Sequence, residues 1–382
     1  MSTASAPGRP WPDLPETERR VLLDLLLHGS QARVRLAERI GLSRASLTRI
    51  ARGLMDAGLV SEGAIVNSGS RGRPGESLDL QPDAARFLGL KLTGDSAYLV
   101  CTNLAAAVVA EAEAPLPSRD FDEVVEFLGR FIADFVTDGT PPVALGVAVA
   151  GDVVTRDGEV LLQRSNFLGW HDVPLAGRLE AATGLPVTIA NDVQALTGAH
   201  HWFGGLQKHR SLVVFGLGAG IGSGVVLQDE LLTGTHGRAG RVGHHRLDAV
   251  GRPCENGHVD CVHSFVTMPA IAVNAGVDED RYEDALALAR AGDAAAARAF
   301  ALAAEALGIV VADAVNAFDP EIVSVMGEGR DMVELAPDRL ASALADHLEQ
   351  SAPEEVVIDL PPFQFGLYAR GAAVAAMREL LS

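Results

Sequence analysis

The spacing of apolar residues changes near residue 85 of this 382-residue chain. Before that point, apolar residues recur at helical spacing in three successive runs. After it, short apolar strands alternate with amphipathic helices. The first pattern is typical of a small helical domain and the second of an α/β body. The chain is 48% hydrophobic and long enough to bury substantial cores, so we predict two or three domains.

The head of the chain, residues 1–80, is predicted to hold three helices followed by two short strands. The first helix spans about Glu16 to Leu27 and the second about Ala32 to Ile40. Ser43 is a good N-cap for the third helix, which runs to about Ala57. Two helices joined by a tight turn are typical of a helix-turn-helix.

The third helix has an apolar face and a cationic polar face. Leu47, Ile50 and Leu54 form the apolar stripe, and no acidic residue precedes Asp56 on the polar face. Arginine forks and hydroxyl groups suit guanine edges and phosphates. The predicted DNA contacts of this helix are Arg44, Ser46, Thr48, Arg49 and Arg52. The alternative is a three-helix bundle that binds protein and has a solvated basic face.

A Gly/Ser/Pro-rich run, NSGSRGRPGE at 67–76, lies between two strand-like pieces, Leu59 to Gly63 and Leu78 to Leu80. Two strands after a helix-turn-helix predict a wing, with RGRP at or beside its tip. Arg71 and Arg73 are therefore predicted to enter a minor groove or to contact phosphates. The alternative is a flexible linker.

Charge is distributed unevenly along the chain. Residues 1–75 hold eleven Arg against seven acidic residues, a net charge of +4. Since the whole chain has a net charge of −19, residues 76–382 have a net charge of −23. Only the head is therefore expected to meet a polyanion. The N-terminus has no signal-like apolar segment, no apolar run reaches membrane-spanning length, and the chain has three cysteines. We therefore predict a cytoplasmic protein without membrane contact.

Several motifs of the body resemble one protein family. The segments NFLGW, ANDVQALTGA and the run from Gly216 through GRAGRVGHHRLDAVGRPCENGHVDCVH resemble the ROK family of sugar kinases and repressors. The resemblance covers about residues 86–382, and the head matches the repressor branch. It implies an actin-like, ribonuclease-H-like two-lobed fold, a sugar between the lobes and often a structural zinc ion.

The resemblance also implies a division of the α/β chain. Behind the winged helix-turn-helix we predict a linker at 81–86 and a first α/β lobe formed by 87–192 together with 363–382. The second α/β lobe, 193–362, is expected to carry the zinc loop and a dimerisation surface.

The phosphate-binding positions depart from the kinases of the family. Those kinases open the body with a DxGxT loop, whereas here Lys91 replaces the aspartate and Asp95 the threonine. Ala219 stands where the second glycine loop of kinases usually has threonine. A carboxylate at a phosphate-facing position repels a nucleotide. We therefore predict no ATP binding and no enzymatic activity, although Asp192 matches the catalytic base; the alternative is a sugar kinase with a DNA-binding head.

The sugar-binding positions of the family are partly retained. The predicted effector-binding residues are Asn166, Asn191, Asp192, Arg241, His244 and His263. Arg241 and His263 stand where the family has glutamates. Three interpretations remain open: Arg241 binds an anionic sugar such as a sugar phosphate, Arg241 pairs with Asp192 and leaves no ligand, or a neutral sugar binds through altered contacts.

The zinc motif is also incomplete. His244, Cys254 and Cys261 match the ligands of the family, but Asn256 replaces the middle cysteine. Structural zinc prefers four nitrogen or sulfur donors, and His258 is the candidate fourth ligand. The alternative is a metal-free loop with two ordinary thiols.

These observations together predict a DNA-binding transcriptional regulator, most simply a repressor, of carbohydrate-related genes. Its expected partners are a double-stranded DNA operator, a sugar or sugar-phosphate effector, and a second copy of the chain in a homodimer or homotetramer. A regulator that binds no ligand is the remaining alternative.

Overall fold

The structure is a computed structural model that describes residues 11–66, 75–136, 140–247, 253–254, 256–349 and 352–381. The chain forms two compact units. Unit 1 comprises Met1–Gln207 and Tyr368–Ser382, and unit 2 comprises Lys208–Leu367.

The head is the N-terminal part of unit 1. Its elements are α1 Glu16–His28, β1 Gln31–Ala32, α2 Arg33–Ile40, α3 Arg44–Asp56, β2 Val60–Val66 and β3 Gly75–Leu80. The strands form an antiparallel sheet in the order β1-β3-β2. The three predicted helices and two predicted strands are therefore present, and this arrangement fits a winged helix-turn-helix.

The apolar core of the head continues into the rest of unit 1. Leu22, Leu36 and Leu54 are fully buried and belong to the same apolar cluster as Phe87 of the body. The Trp11 ring lies edge-on against Phe87, with ring centroids 5.9 Å apart. Head and first lobe therefore share one hydrophobic core.

In the described residues, the α/β part of unit 1 contains two sheets and four α-helices. Its elements are β4 Arg86–Leu92, β5 Ser96–Asn103, β6 Val108–Pro115, α4 Phe121–Phe135, β7 Pro142–Val149, β8 Asp152–Arg156, β9 Glu159–Ser165, β10 Trp170–Val173, α5 Leu175–Thr183, β11 Val187–Asn191, α6 Asp192–Phe203 and, at the C-terminus, α13 Gly366–Leu381. The main sheet has the order β11-β7-β4-β5-β6, and β8 to β10 form a second, antiparallel sheet.

Two glycines of the main sheet allow α13 to approach closely. A Cβ atom at Gly89 would lie 1.9 Å from the carbonyl oxygen of Ala369, and one at Gly146 would lie 1.7 Å from that of Ala372. The helix therefore packs on β4 and β7 at a distance that only glycine permits.

Unit 2 is a mixed sheet covered by helices. Its elements are β12 Leu212–Leu217, β13 Ile221–Leu227, β14 Glu230–Leu231, α7 His263–Val266, α8 Met268–Ala275, α9 Tyr282–Arg290, α10 Ala294–Phe318, β15 Ile322–Met326, α11 Met332–Leu335, α12 Pro337–His347 and β16 Ile358–Asp359. The strand order is β14-β13-β12-β15-β16.

The longest helix, α10, lies in the core of unit 2. By length and composition alone it is the one described helix that is apolar enough to cross a membrane, but 56% of its apolar window is buried in the unit. A core helix meets the same criterion. The helix begins after its N-cap Asp293, whose carboxylate accepts hydrogen bonds from the backbone N–H groups of Ala295 and Ala296. Gly292, at φ 88°, and this cap separate α9 from α10 within a segment for which the apolar pattern predicts mostly helix.

The unit boundaries differ from the predicted lobe boundaries. The prediction ended the first lobe at Asp192, whereas α6 begins at that residue and belongs to unit 1, so the division follows Gln207. At the other end, unit 1 resumes at Tyr368 rather than at residue 363. The reason is that Ala199 and Trp202 of α6 belong to the apolar cluster that the head shares with the first lobe.

Candidate DNA interface, effector positions and metal cluster

Helix α3 presents its arginines to solvent. Ser43 caps the helix, its Oγ accepting a hydrogen bond of 3.1 Å from the backbone N–H of Ser46. Leu47, Ile50, Ala51 and Leu54 are buried. The exposed residues of the helix include Arg44, Thr48, Arg49 and Arg52, while Ser46 is half-buried. The predicted polar face therefore exists as one continuous surface.

The α3 arginines differ from a neighbouring arginine of the head. Arg33, on α2, forms a 2.6 Å ion pair with Glu62 on β2. Among the residues that the structure describes, the ion pairs include none from Arg44, Arg49 or Arg52. The charge of these three guanidinium groups is therefore available to an external anion.

The predicted wing arginines, Arg71 and Arg73, lie outside the described residues. The strands that flank them, β2 and β3, pair antiparallel from Val60↔Leu80 to Val66↔Gly75. A register shift interrupts the pairing between Glu62 and Ile65. The two strands on either side of the RGRP segment thus form the hairpin that the sequence predicts.

The carboxylate that matches the kinase base is held by a lysine. Nζ of Lys91, on β4, lies 2.5 Å from Oδ2 of Asp192 at the start of α6. The two side chains are only 5% and 14% exposed. The ammonium group also lies 4.9 Å from the centroid of the Tyr368 ring. The cation that replaces the first aspartate of the DxGxT loop therefore neutralises the carboxylate at the catalytic-base position.

The two predicted effector-binding asparagines of unit 1 have structural partners. Asn191 caps α6, since its Oδ1 accepts hydrogen bonds from the backbone N–H groups of Val193 and Gln194. Its Nδ2 donates to the carbonyl oxygen of Gly151 over 3.1 Å. Asn166 is exposed and accepts a 2.8 Å hydrogen bond from Arg164. The amide oxygen of Asn191 is therefore fully used by the fold.

The residues at the position of the kinase phosphate loop form hydrogen bonds with one another. The hydroxyl of Thr93 donates to Oδ1 of Asp95 over 2.8 Å and accepts from the backbone N–H of Ser96 over 2.9 Å. These bonds shape the turn between β4 and β5. Ala219 lies in the turn between β12 and β13, where the N–H of Gly218 donates to the carbonyl of Gly220.

Three donors of unit 2 converge in the predicted zinc loop. Nδ1 of His244 lies 3.7 Å from Sγ of Cys254 and 3.8 Å from Sγ of Cys261. All three donor atoms lie within 4.8 Å of one another. Imidazole and thiolate groups are the preferred zinc ligands, so this cluster is compatible with a zinc ion.

Backbone pairing brings the two thiols together. Pro253 and Val259 form an antiparallel bridge, and so do Arg246 and Cys261. Within the turn, the N–H of Cys254 donates to the carbonyl of His258 over 2.8 Å. Burial raises the pKa of the Cys261 thiol, and the neighbouring Cys254 adds to the shift. A bound cation would act in the opposite direction, because it favours the thiolate.

The remaining polar groups of the loop surround the His244 ring. The rings of His258 and His263 lie 4.6 and 5.4 Å from it, centroid to centroid, the first edge-on and the second stacked. Nδ2 of Asn256 lies 2.9 Å from Nε2 of His244. Within the described chain, the group of three converging donors does not include His258, the predicted fourth ligand. Its side chain instead packs against the ring of His244.

The effector-binding residues predicted in unit 2 are Arg241, His244 and His263. Arg241 is exposed, and the N–H of His263 donates to the carbonyl of Gly243 over 2.7 Å. Of these three residues, the structure brings the rings of His244 and His263 into contact.

Two relationships were missed at the level of sequence. The Lys91–Asp192 pair joins residues 101 positions apart. The sequence indicated it only by a cation, Lys91, at the first aspartate of the DxGxT loop and by the retained carboxylate of Asp192 at the catalytic-base position. The contact of Asn256 with His244 had no signal, because the residue registered only as the loss of a cysteine.

A helix-turn-helix head with an exposed arginine face, in front of an α/β body of the sugar-kinase type, defines a class of transcriptional regulators with an actin-like body. Residues 87–378 match the ROK family, and the chain belongs to this family.

Known proteins of both branches are similar to this chain. The xylose repressor of Caldicellulosiruptor bescii is 27% identical over 346 residues, which cover 85% of this chain and 86% of the repressor. A crystal structure described as a ROK family transcriptional regulator, homologous to the E. coli MLC protein, matches with a TM-score of 0.82 and 24% identity over 96% of this chain and 97% of its own. The ROK hexokinase of Thermus thermophilus matches with a TM-score of 0.64 and 26% identity over 77% of this chain and 99% of its own.

Proposed function

We propose that this protein is a cytoplasmic transcriptional repressor that binds operator DNA through α3 and responds to a sugar or an anionic sugar derivative. The observation that carries the DNA-binding function is the exposed, unpaired arginine face of α3 on a buried helix-turn-helix core. Arginine at such a face supplies bidentate contacts to guanine and charge for phosphates. The similarity to proteins named as repressors supports the same function.

The test of DNA binding begins with selection of an operator from random duplexes by the full chain. Affinity for the selected duplex is then measured by fluorescence anisotropy for Arg49→Ala and Arg52→Ala. Each is expected to weaken binding about tenfold or more, and each lost phosphate contact should reduce the salt slope by about one. Arg130→Ala is the matched control, because Arg130 is exposed on α4 and its ion pair with Glu126 is also exposed. Unchanged affinity in both α3 variants would contradict the proposal.

The wing is assigned to the same interface. Arg71 and Arg73 contact a minor groove or phosphates beside the major-groove contacts of α3. The double variant Arg71→Ala, Arg73→Ala is therefore expected to lower both the affinity and the salt slope. A homodimer or homotetramer places two heads on half-sites about 34 Å apart, or a multiple of that distance. Selected operators with two related half-sites would support this assembly, and single half-sites would argue against it.

The body acts as a sensor and not as a kinase. Lys91 neutralises Asp192, which therefore has no free carboxylate to accept the proton of a sugar hydroxyl. We expect no ADP release with ATP and any neutral or amino sugar. ADP release that depends on Asp192 would favour the kinase alternative.

The sugar effector is assigned to Asn166, Asn191, Asp192, Arg241, His244 and His263. A thermal-shift panel of neutral sugars, amino sugars, sugar phosphates and sugar acids tests it. A ligand at 100 times its Kd should stabilise the protein by about 2.7 kcal/mol. The same compound should weaken operator binding. A hit confined to anionic sugars would assign Arg241 as the clamp, and a panel without hits would favour a ligand-independent regulator.

His244, Cys254 and Cys261 hold a structural zinc ion in unit 2. Such an ion would cross-link three points of the loop and stabilise the folded chain. Elemental analysis of the purified protein is expected to find one zinc per chain, and removal by a chelator should lower the melting temperature. A melting temperature that is insensitive to both zinc and chelator would favour the metal-free loop.

A further inference from the structure

The amide of Asn256 and the two thiols contact different nitrogens of His244. Nδ2 of Asn256 lies 2.9 Å from Nε2, whereas the thiols of Cys254 and Cys261 lie 3.7 and 3.8 Å from Nδ1. The two nitrogens of an imidazole are separate hydrogen-bonding positions, so a partner on one can determine which way the other points. Asn256 therefore lies where it can orient the ring and not where the three donors converge.

We propose that Asn256 is a positioning residue of the metal site, which holds Nε2 of His244 so that Nδ1 faces Cys254 and Cys261. This inference rests on the zinc site of the proposed function. Asn256, which replaces the middle cysteine of the family motif, would thus orient a ligand without being a ligand itself.

An amide suits this position because it offers both a donor and an acceptor. With Nδ2 toward Nε2, as in this structure, the amide can donate only to the imidazole tautomer that has its proton on Nδ1. A cation on Nδ1 requires the proton on Nε2, which then donates to Oδ1 of an amide turned by about 180°. Aspartate can only accept, so it favours the tautomer with a free Nδ1. Alanine can do neither.

The test measures zinc and cobalt affinity of the full chain by chelator competition for the wild type, Asn256→Ala and Asn256→Asp. Asn256→Ala is expected to bind both metals about 10- to 100-fold more weakly, whereas Asn256→Asp should bind at least as tightly as the wild type. Asn316→Ala is the matched control: Asn316 is also an exposed asparagine of unit 2 whose side chain has hydrogen-bond partners, but it lies on α10 and not in the zinc loop. Its metal affinity should equal that of the wild type.

The cobalt spectrum separates positioning from ligation. At saturating cobalt, Asn256→Ala should keep the visible band positions and intensities of the wild type, since the three donors are unchanged. Its metal-free melting temperature should also be unchanged. Altered bands would mean that Asn256 is itself a ligand, and an affinity equal to that of the wild type would mean that it does not hold His244; either result overturns the proposal.

A wild-type protein that binds neither metal would overturn this inference together with the zinc site. Operator affinity, measured separately by anisotropy, would still decide whether the protein is a DNA-binding regulator.

Discussion

The arginines of α3 in the head and Lys91 in the body have opposite surroundings. On α3, Arg44, Arg49 and Arg52 are exposed and form no ion pair within the described chain. In the body, Lys91 is 5% exposed and lies against Asp192. An exposed charge costs little to keep and remains available to a ligand, whereas a buried charge must be paired. The α3 arginines are thus available to a partner, whereas the charge of Lys91 is neutralised within the fold.

The largest expected effect comes from breaking the buried pair. Lys91→Met keeps the side-chain volume but leaves the Asp192 carboxylate without its ammonium partner, and it should lower the free energy of unfolding by about 3 kcal/mol. Urea denaturation measures this change. Arg130→Ala is the control, because the Arg130–Glu126 pair has the same 2.5 Å distance but side chains that are 66% and 72% exposed. Its loss should cost less than about 1 kcal/mol.

The double variant Lys91→Met, Asp192→Asn tests whether charge is the cause. It removes both charges, so most of the lost stability should return. If it is as unstable as Lys91→Met alone, the pair is held by packing and the contrast with the head fails.

A smaller effect on stability is expected from the N-cap of α3. Ser43→Ala removes the acceptor for the N–H of Ser46 and should destabilise the protein by about 1 kcal/mol. Ser43→Asp keeps an acceptor at the same place and is expected to retain stability. Thermal unfolding of the two variants measures the difference; equal losses would show that the hydrogen bond of the cap is not the cause.

A pH-dependent effect is expected from a carboxylate of the body. Burial tends to raise the pKa of Glu321, but hydrogen bonds from the backbone N–H groups of Arg210 and Ser211 and from His209 outweigh it and lower the pKa. Because the folded pKa lies below the unfolded one, the stabilisation is present above the unfolded pKa and is lost as the pH falls through the folded pKa.

The measurement is the pH dependence of the urea midpoint. Between about pH 6 and about pH 3, the stability of the wild type should fall more than that of Glu321→Gln, which has no carboxylate to protonate. Parallel curves for the two proteins would contradict the lowered pKa.

The smallest effect on stability is expected at the head arginines. Arg44→Ala and Arg52→Ala should change the free energy of unfolding by less than about 0.5 kcal/mol, because neither side chain has a partner in the described chain. The same variants should weaken operator binding. A large loss of stability in either would show that the arginine face is structural, and the comparison with Lys91 would have to be abandoned.

Local pattern was enough to predict the helices of the head and an alternation of strands and helices in the rest of the chain. Ser43 before an apolar repeat predicted the start of α3, and the helical spacing of Leu47, Ile50 and Leu54 predicted an arginine face on the other side. The segment from Ala285 to Asn316 is largely helical, as its apolar pattern predicts, but the pattern did not show the break at Gly292 and Asp293, where a left-handed glycine and a new cap separate two helices. The family and its departures at Lys91, Asp95 and Asn256 were also readable from the sequence, because they depend on short motifs.

The sequence by itself predicted a helix-turn-helix head from the spacing of its apolar residues, and its motifs, through their resemblance to the ROK family, implied an actin-like α/β body with an altered phosphate loop. Only the tertiary structure decided which groups meet across long separations. It paired Lys91 with Asp192 and placed Asn256 at Nε2 of His244, opposite the thiols. The physical reason is that the partner of a buried charge or a ring nitrogen is selected by packing in space, and composition and spacing do not specify that packing.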